Sequence, residues 1–282
     1  MHNLEVKMKC RIALAQCEVS DSPEKNRNKA EQLIKKAAQK KAHIIVFPEY
    51  FVTGTKIKLK TAAAHESEYI KAYQELAKKY KIDVVPGSMV HEDDCGRHNM
   101  SVYIDSEGNV VGNYRKVHLW LSERASLADG HRSVVFNTKH GKIGLIICWD
   151  LMFPEIFRKM ARKGVELVIC PSYWSDGDCY SFDKKYGTRS DEKIVDALCV
   201  ERAFENEVVL AYCNGVGRVR YGKKNEKLIG HSQMTMPLKG VVKKAKYRKE
   251  ELVVANINTT ILKDAEKAYK IRSDLKKTVK SV

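Results

Sequence analysis

The sequence predicts a single α/β domain in which strands and helices alternate along all 282 residues. Three observations support this prediction: short apolar runs typical of buried strands, amphipathic helical patterns between them, and no linker rich in glycine, proline and serine. With 44% hydrophobic residues, a chain of this length can bury a large core. We therefore predict one domain of mixed sheets covered by helices over residues 1–282, with a basic C-terminal extension from about residue 259.

The first elements are a strand and a helix. The strand is predicted over 10–17 (CRIALAQC), and the helix begins at Ser22-Pro23, because serine suits the N-cap and proline the first helical position. Apolar side chains at helical spacing form one stripe along this helix, as expected for a helix that covers a sheet. A second strand, HIIVF at 43–47, leads into Glu49.

The next segment is predicted to contain a helix near 67–80 and a strand over 84–90 (VVPGSMV). A hairpin follows, and the residues Ser-Glu-Gly-Asn at 106–109 are typical of its turn. In residues 116–133 the apolar side chains follow neither the helical nor the strand period, so this segment is predicted to form a loop.

The middle of the chain repeats the pattern of strand, helix and strand. The runs VVFNT and KIGLIIC flank a turn at 139–141, and the second run ends at Cys148. A helix is predicted to begin after Pro154 and to end at Gly164, because proline favours the first helical turn and glycine the C-terminal end. ELVICPS, at 166–172, returns as a strand.

The second half has the same texture. We predict a helix around 189–205, strands at 208–214 (VVLAYCN), 231–236 (HSQMTM) and 252–257 (LVVANI), and a turn at 238–240.

The charge is strongly positive and unevenly distributed. The formal net charge is +16, and the segment from Lys239 to the end carries 13 Lys and Arg against 5 Asp and Glu. These lysines stand singly or in pairs and lack the interleaved aromatic residues of a base-stacking surface. A solvated surface is therefore favoured over a nucleic-acid site, although a binding protein that uses this region is kept as a second hypothesis.

The cysteines and the N-terminus indicate the compartment. Eight cysteines occur without any C-x-x-C pair, which argues against a zinc site and against a disulfide framework. The apolar run IALA at 12–15 ends at Gln16, too early for a signal peptide, and no run reaches the roughly 18–20 apolar residues of a membrane span. We expect a cytoplasmic protein without a membrane partner.

Three predicted strands end on reactive side chains. Glu49 follows HIIVFP, Lys116 ends the hairpin strand VVGNYRK, and Cys148 ends KIGLIIC. Strand ends gather at one edge of an α/β sheet, so a carboxylate, an ammonium and a thiol are expected in one pocket. That set of groups is suited to acyl transfer.

Each group has an expected role. Glu49 is the general base, which takes the thiol proton, hands it to a leaving amine and later activates water. Cys148 is the nucleophile. Lys116 is expected to lower the thiol pKa and to stabilise the oxyanion together with the backbone N–H of Trp149.

The segments around these residues resemble the nitrilase, or carbon-nitrogen hydrolase, superfamily. The motifs are FPEYFVTG around Glu49, YRKVHL around Lys116 and ICWDLMFPE around Cys148, and the likeness extends through PSYW, ERAFEN and GHSQMTMPLKG. The resemblance implies a four-layer αββα sandwich, a homodimer, hydrolysis of a non-peptide C–N bond, and no metal or organic cofactor.

The resemblance also implies a fourth catalytic residue. Such enzymes often carry a second glutamate between the lysine and the cysteine, and Glu123 is the only glutamate there. It would orient Lys116 and the substrate amide. Relatives that hydrolyse N-carbamoyl amino acids have arginines for the substrate carboxylate where this chain has Leu151 and Met152, so such substrates are disfavoured.

Aromatic residues beside the motifs are candidates for the substrate pocket, namely Tyr50, Trp149 and Trp174. His118 offers a different mechanism, that of a Cys-His hydrolase, but lies where it can simply pack.

The leading hypothesis is a thiol amidohydrolase that releases ammonia from a small amide or ureido compound through a Cys148 thioester. The alternatives are a nitrilase that converts a nitrile to an acid, and a relative without catalytic activity that binds nucleic acid.

Overall fold

The computed structural model describes residues 9–177, 180–221 and 224–277. Within these ranges strands and helices alternate, as the sequence predicts. The strands, in chain order, are β1 (Lys9–Gln16), β2 (Ile44–Val46), β3 (Asp83–Val85), β4 (Met89–Asp93), β5 (Gly96–Ile104), β6 (Val110–Arg115), β7 (Val134–Thr138), β8 (Gly141–Leu145), β9 (Leu167–Ser172), β10 (Val209–Asn214), β11 (Arg218–Tyr221), β12 (Lys224–Lys227), β13 (Gln233–Met236), β14 (Gly240–Lys244) and β15 (Glu251–Asn258). The α-helices are α1 (Pro23–Gln39), α2 (Leu59–Ala64), α3 (Glu66–Tyr80), α4 (Pro154–Arg162), α5 (Tyr180–Tyr186), α6 (Ser190–Glu205), α7 (Thr260–Tyr269) and α8 (Ile271–Lys277).

The strands form two mixed sheets. The first has the order β15-β1-β2-β3-β5-β4, with β6 also paired to β5, and its β1, β2 and β3 run parallel. The second has the order β14-β13-β10-β9-β8-β7, with β8, β9 and β10 parallel. The hairpin of β11 and β12 stands apart from both sheets.

The two sheets pack face to face, and helices cover their outer faces. In β1, Ile12 and Leu14 point into an apolar cluster shared with the second sheet, whereas Ala13 and Ala15 point into a cluster shared with α1 and α3. This alternation follows the two-residue period of a strand that is buried on both sides. On the second sheet α4 and α6 take the outer position. The predicted αββα sandwich is confirmed.

Two strand predictions were too long. The strand predicted over 84–90 is divided into β3 and β4 by a turn at Pro86-Gly87, where Gly87 has φ +89°. A Cβ at Gly87 would lie 1.8 Å from the carbonyl oxygen of Pro48, so glycine allows this turn to pack against the residue before Glu49. The strand predicted to end at Cys148 ends earlier, with β8.

The basic C-terminal extension forms α7 and α8, which pack on the domain. Leu262 and Ala265 are buried, and the Arg272 guanidinium donates hydrogen bonds of 2.6 Å to the carbonyl oxygens of Val165 and Glu207. Sequence analysis did not predict these helices, because their few buried apolar residues stand among many lysines. No helix in the described ranges combines the length and the apolar character needed to cross a bilayer.

Candidate active site

The residues that sequence analysis selected for the site line one pocket of about 480 Å³. The pocket opens where strands of both sheets end, and the segments that follow β2, β6, β8 and β9 supply its walls. The predicted residues that line it are Glu49, Tyr50, Lys116, Glu123, Cys148, Trp149 and Trp174.

A lysine and two glutamates form a buried ion cluster in the floor of this pocket. Lys116 Nζ donates to Glu49 Oε1 at 2.8 Å and to Glu123 Oε2 at 2.7 Å, and all three side chains are at least 93% buried. Backbone hydrogen bonds fix the position of Lys116 itself. Its N–H donates to the Asn99 carbonyl oxygen, and its carbonyl oxygen accepts from the Gly130 N–H. The lysine is therefore held with its ammonium between two acids.

Cys148 lies at a strained corner. Its φ is +47°, a left-handed conformation that costs a residue with a side chain about 1 kcal/mol or more. Buried Asp150 stabilises the corner, because its carboxylate accepts hydrogen bonds from the Ile147 N–H at 2.9 Å, the Tyr114 hydroxyl at 2.8 Å and the His118 N–H at 2.9 Å. A short 3₁₀ turn then leads into α4.

The Cys148 thiol and the Glu49 carboxylate line the same pocket and influence each other's pKa. The Ser172 hydroxyl and the backbone of Tyr173 also act on the thiol and lower its pKa. The structure thus brings the nucleophile candidate and the base candidate to the same pocket.

The two carboxyl groups have different electrostatic environments. Burial raises the pKa of Glu49 above its ordinary value, although the Lys116 ammonium opposes the shift. Burial acts in the same direction on Glu123, but the Lys116 charge and hydrogen bonds from Tyr50 and the Trp120 N–H outweigh it and leave the pKa lowered. The raised pKa suits Glu49 to accept a proton, and the lowered pKa keeps Glu123 ionised.

The same ion cluster determines the protonation state of Lys116. Burial favours the neutral amine, but the charges of Glu49 and Glu123 outweigh burial and raise the pKa of Lys116. Lys116 is an ammonium at neutral pH.

The Lys116 charge acts to lower the pKa of the Cys148 thiol, as predicted, but the net shift is upward. Burial, with the charge of Glu49 second, raises the pKa of Cys148, and the Lys116 charge offsets only part of this shift. The thiol is therefore neutral at rest, and its proton must leave as the sulfur reacts.

The aromatic candidates have distinct positions. Trp149 lies between Trp120 and Trp174, with ring centroids 4.4 and 5.4 Å away, and forms an apolar wall. The Trp174 indole N–H donates to Asp191 on α6 at 2.9 Å, so only the ring is offered to the pocket. Tyr50 has φ +57°, and its hydroxyl donates to Glu123, so it supports the ion cluster as well as the wall.

His118 is not among the residues that line this pocket. Its Nδ1 lies 2.8 Å from Asp150 Oδ1, and its ring stacks on Phe153 with centroids 3.7 Å apart. The histidine supports the corner that carries Cys148, and the geometry does not favour a Cys-His hydrolase.

The model of one protein family, carbon-nitrogen hydrolase, matches residues 11–265. This chain belongs to the carbon-nitrogen hydrolase family. A probable nitrilase of Schizosaccharomyces pombe is 30% identical over 278 residues, which cover 93% of each chain. An omega-amidase of Xenopus laevis is 30% identical over 275 residues, 94% of each chain.

A solved structure supports the same assignment. Nit3 of Saccharomyces cerevisiae, a member of branch 10 of the nitrilase superfamily, superposes with a TM-score of 0.77 and 25% identity over 93% of this chain and 94% of that chain. Family membership and the amidase relatives make this protein a hydrolase that acts on amides.

Sequence analysis did not identify Asn99 and Glu226, two polar residues that contribute to the site of this hydrolase. Asn99, on β5, donates from Nδ2 to Glu49 Oε1 and to Glu123 Oε1, at 2.8 Å each. Glu226 lines the pocket from β12, a hairpin strand that was not predicted. A lone asparagine in an apolar strand and a glutamate in a polar segment give no local signal, because only the fold brings them to the site.

A cluster of possible metal ligands lies at the other end of the strands. Ligand atoms of Cys10, His43 and His140 fall within 4.8 Å of one another. His43 precedes β2 and His140 precedes β8, whereas the pocket residues follow these strands. Cysteine spacing does not reveal this cluster, because Cys10, His43 and His140 are far apart in the sequence.

Proposed function

We propose that this hydrolase releases ammonia from a small primary amide or ureido compound through a thioester on Cys148. The observation that carries the proposal is that one thiol, one carboxylate and one ammonium line the same pocket of small-molecule size, with the ammonium bonded to the carboxylate.

In the first half-reaction the Cys148 sulfur attacks the carbonyl carbon while Glu49 takes the thiol proton. The negative charge that develops on the carbonyl oxygen is stabilised by the Lys116 ammonium and the Trp149 N–H. Glu49 then gives the proton to the leaving nitrogen, the C–N bond breaks, and ammonia departs. A raised pKa suits Glu49 to both transfers.

In the second half-reaction water replaces ammonia. Glu49 takes a proton from water as its oxygen attacks the thioester carbon, and Lys116 again faces the oxyanion. The C–S bond breaks, the sulfur recovers a proton from Glu49, and the acid leaves. One water molecule is consumed for each ammonia and acid formed.

Glu123 acts through its neighbours in this scheme. Its carboxylate binds the Lys116 ammonium, the Asn99 amide, the Tyr50 hydroxyl and the Trp120 N–H. We expect it to hold Lys116 in position and to accept a hydrogen bond from the substrate amide nitrogen.

Ammonia release tests the proposal directly. We expect the wild-type enzyme to release ammonia from members of a panel of small amides, and Cys148→Ala and Glu49→Gln to lose at least about 10³-fold in kcat. Cys95→Ser is the matched control, because Cys95 is exposed and lies outside the pocket. Turnover by Cys148→Ala at the wild-type rate would remove the thioester from the mechanism.

Two alternatives make different predictions. A nitrilase would convert nitriles to acids faster than it hydrolyses the matching amides, and the similarity to a probable nitrilase is the reason to test it. A nucleic-acid-binding relative would give a salt-dependent gel shift and no ammonia.

The homodimer and the cytoplasmic location are further proposals taken from the resemblance and the sequence. Analytical ultracentrifugation tests the first, with a single-chain mass as the contrary result. Fractionation of the source cells tests the second, with recovery outside the cytoplasm as the contrary result.

A further inference from the structure

A third buried carboxyl group lines the pocket, separate from the ion cluster. Glu226 is 8% exposed and accepts a hydrogen bond of 2.6 Å from the Ser175 hydroxyl to its Oε2. Ser175 follows Trp174, and a bridge between Ser175 and Leu228 fastens the end of the β11–β12 hairpin to this wall. Glu226 is therefore held beside the aromatic wall.

The backbone opposite Glu226 leaves room for the carboxylate. A Cβ added at Gly177 would lie 1.8 Å from the Glu226 side-chain carboxyl carbon, which shows how closely the chain passes. Any larger residue at position 177 would displace the carboxylate. The absence of a side chain at Gly177 thus leaves a recess that the Glu226 carboxylate fills.

Among the described residues that line the pocket, no lysine or arginine is paired with Glu226. Among the described residues, Lys116 is the only lysine or arginine that lines the pocket, and Glu49 and Glu123 already bind it. The Ser175 hydroxyl that reaches Glu226 is neutral. A buried carboxylate is costly without a cation, and a cationic group of the substrate would supply one.

We propose that Glu226 binds the cationic end of the substrate. The preferred substrates would be amides or ureido compounds that carry an ammonium or guanidinium group remote from the scissile bond. This inference rests on the proposed function and adds a substrate class to it. A substrate with a remote carboxylate would face Glu226 and meet no free cation among the described lining residues, which agrees with Leu151 and Met152 standing in place of arginines.

Three amides of equal length test the inference. They are 5-aminopentanamide, pentanamide and glutaramate, whose far ends are cationic, neutral and anionic. We expect kcat/KM to fall in that order, with the cationic amide favoured over the neutral one by about tenfold or more, because a hydrogen-bonded charge pair is lost. A wild-type preference for glutaramate, or equal rates for all three, would overturn the proposal.

Variants then assign the preference to one side chain. Glu226→Gln keeps the shape and removes the charge, so the ratio of kcat/KM for 5-aminopentanamide over pentanamide should fall about tenfold, mainly through KM. Gly177→Ala should lower the same ratio by displacing the carboxylate. Glu75→Gln removes an exposed charge on α3 and should leave the ratio unchanged. An unchanged ratio in Glu226→Gln would contradict the proposal.

Binding to the Cys148→Ala variant separates this inference from the proposed function. Calorimetry should show 5-aminopentanamide bound about tenfold more tightly than pentanamide, and Glu226→Gln in the same background should abolish the difference. Such a difference without ammonia release by the wild type would support the Glu226 site and contradict the amidase. Equal binding of the two amides would contradict the Glu226 site even where ammonia is released.

Discussion

At the scale of single residues, the site depends on two glutamates that share one lysine and differ in their surroundings. Glu49 shares the pocket with the thiol, and burial dominates its pKa, whereas the Lys116 charge and several hydrogen bonds keep Glu123 charged. Glu49 was predicted from its place after a strand, and Glu123 from the resemblance to the family. Asn99, which bridges both carboxylates, could not be predicted because nothing in its sequence neighbourhood distinguishes it from a core polar residue.

The raised pKa of Cys148 gives a prediction for the empty enzyme. A thiol with a raised pKa is protonated at neutral pH, so its reaction with methyl methanethiosulfonate should be slow at pH 7 and should still accelerate above pH 9. Peptide mass spectrometry measures the rate, with exposed Cys95 as the internal reference. A rate for Cys148 that levels off below pH 8 would show a resting thiolate instead.

At the scale of elements, the corner after β8 decides where the sulfur points. Sequence analysis found the corner from an apolar run followed by a helix start at Pro154, but it placed the strand end three residues too late. The left-handed φ of Cys148 is stabilised by Asp150, which accepts hydrogen bonds from the Ile147 N–H within the corner and from the Tyr114 hydroxyl on β6. This support comes from tertiary contacts, which local pattern does not encode.

Tyr114 provides a test of that support. Tyr114→Phe removes the hydroxyl that donates to buried Asp150, so we expect a loss of about 1–2 kcal/mol in the free energy of unfolding and a lower kcat. Urea denaturation measures the first and ammonia release the second.

The matched control is Tyr80→Phe, which removes a hydroxyl bonded to Glu31 near the surface and should cost less than about 0.5 kcal/mol. Equal losses in the two variants would mean that Asp150 gives the corner no special stability.

At the scale of the whole molecule, alternation of strands and helices predicted mixed sheets covered by helices, and the family resemblance implied the αββα layers. The reactive residues at three strand ends predicted which ends meet. The sheet order could not be predicted, because pairing between distant strands leaves no short-range pattern in the sequence. The β11–β12 hairpin was not predicted either. The C-terminal segment was predicted only as a basic extension, without helices assigned to it. In the structure it forms α7 and α8, which Leu262 and Arg272 anchor to the domain.

Arg272 is the test of this anchoring. Arg272→Ala leaves the carbonyl oxygens of Val165 and Glu207 without their donor, so we expect a loss of about 2 kcal/mol in the free energy of unfolding. Lys277→Ala, in the same helix, breaks only an exposed pair with Asp274 and should change stability by less than about 0.5 kcal/mol. Equal stability of Arg272→Ala and the wild type would mean that α7 and α8 are not anchored through this side chain.

The account depends most on covalent capture of substrate by Cys148. The most direct measurement is mass spectrometry of peptides from enzyme quenched in acid during turnover of an amide. We predict that the peptide containing Cys148 gains the mass of the acyl group, and that the adduct is absent in Cys148→Ala. Continued turnover with no adduct on Cys148 in any quenched sample, or an adduct on another residue, would contradict the account.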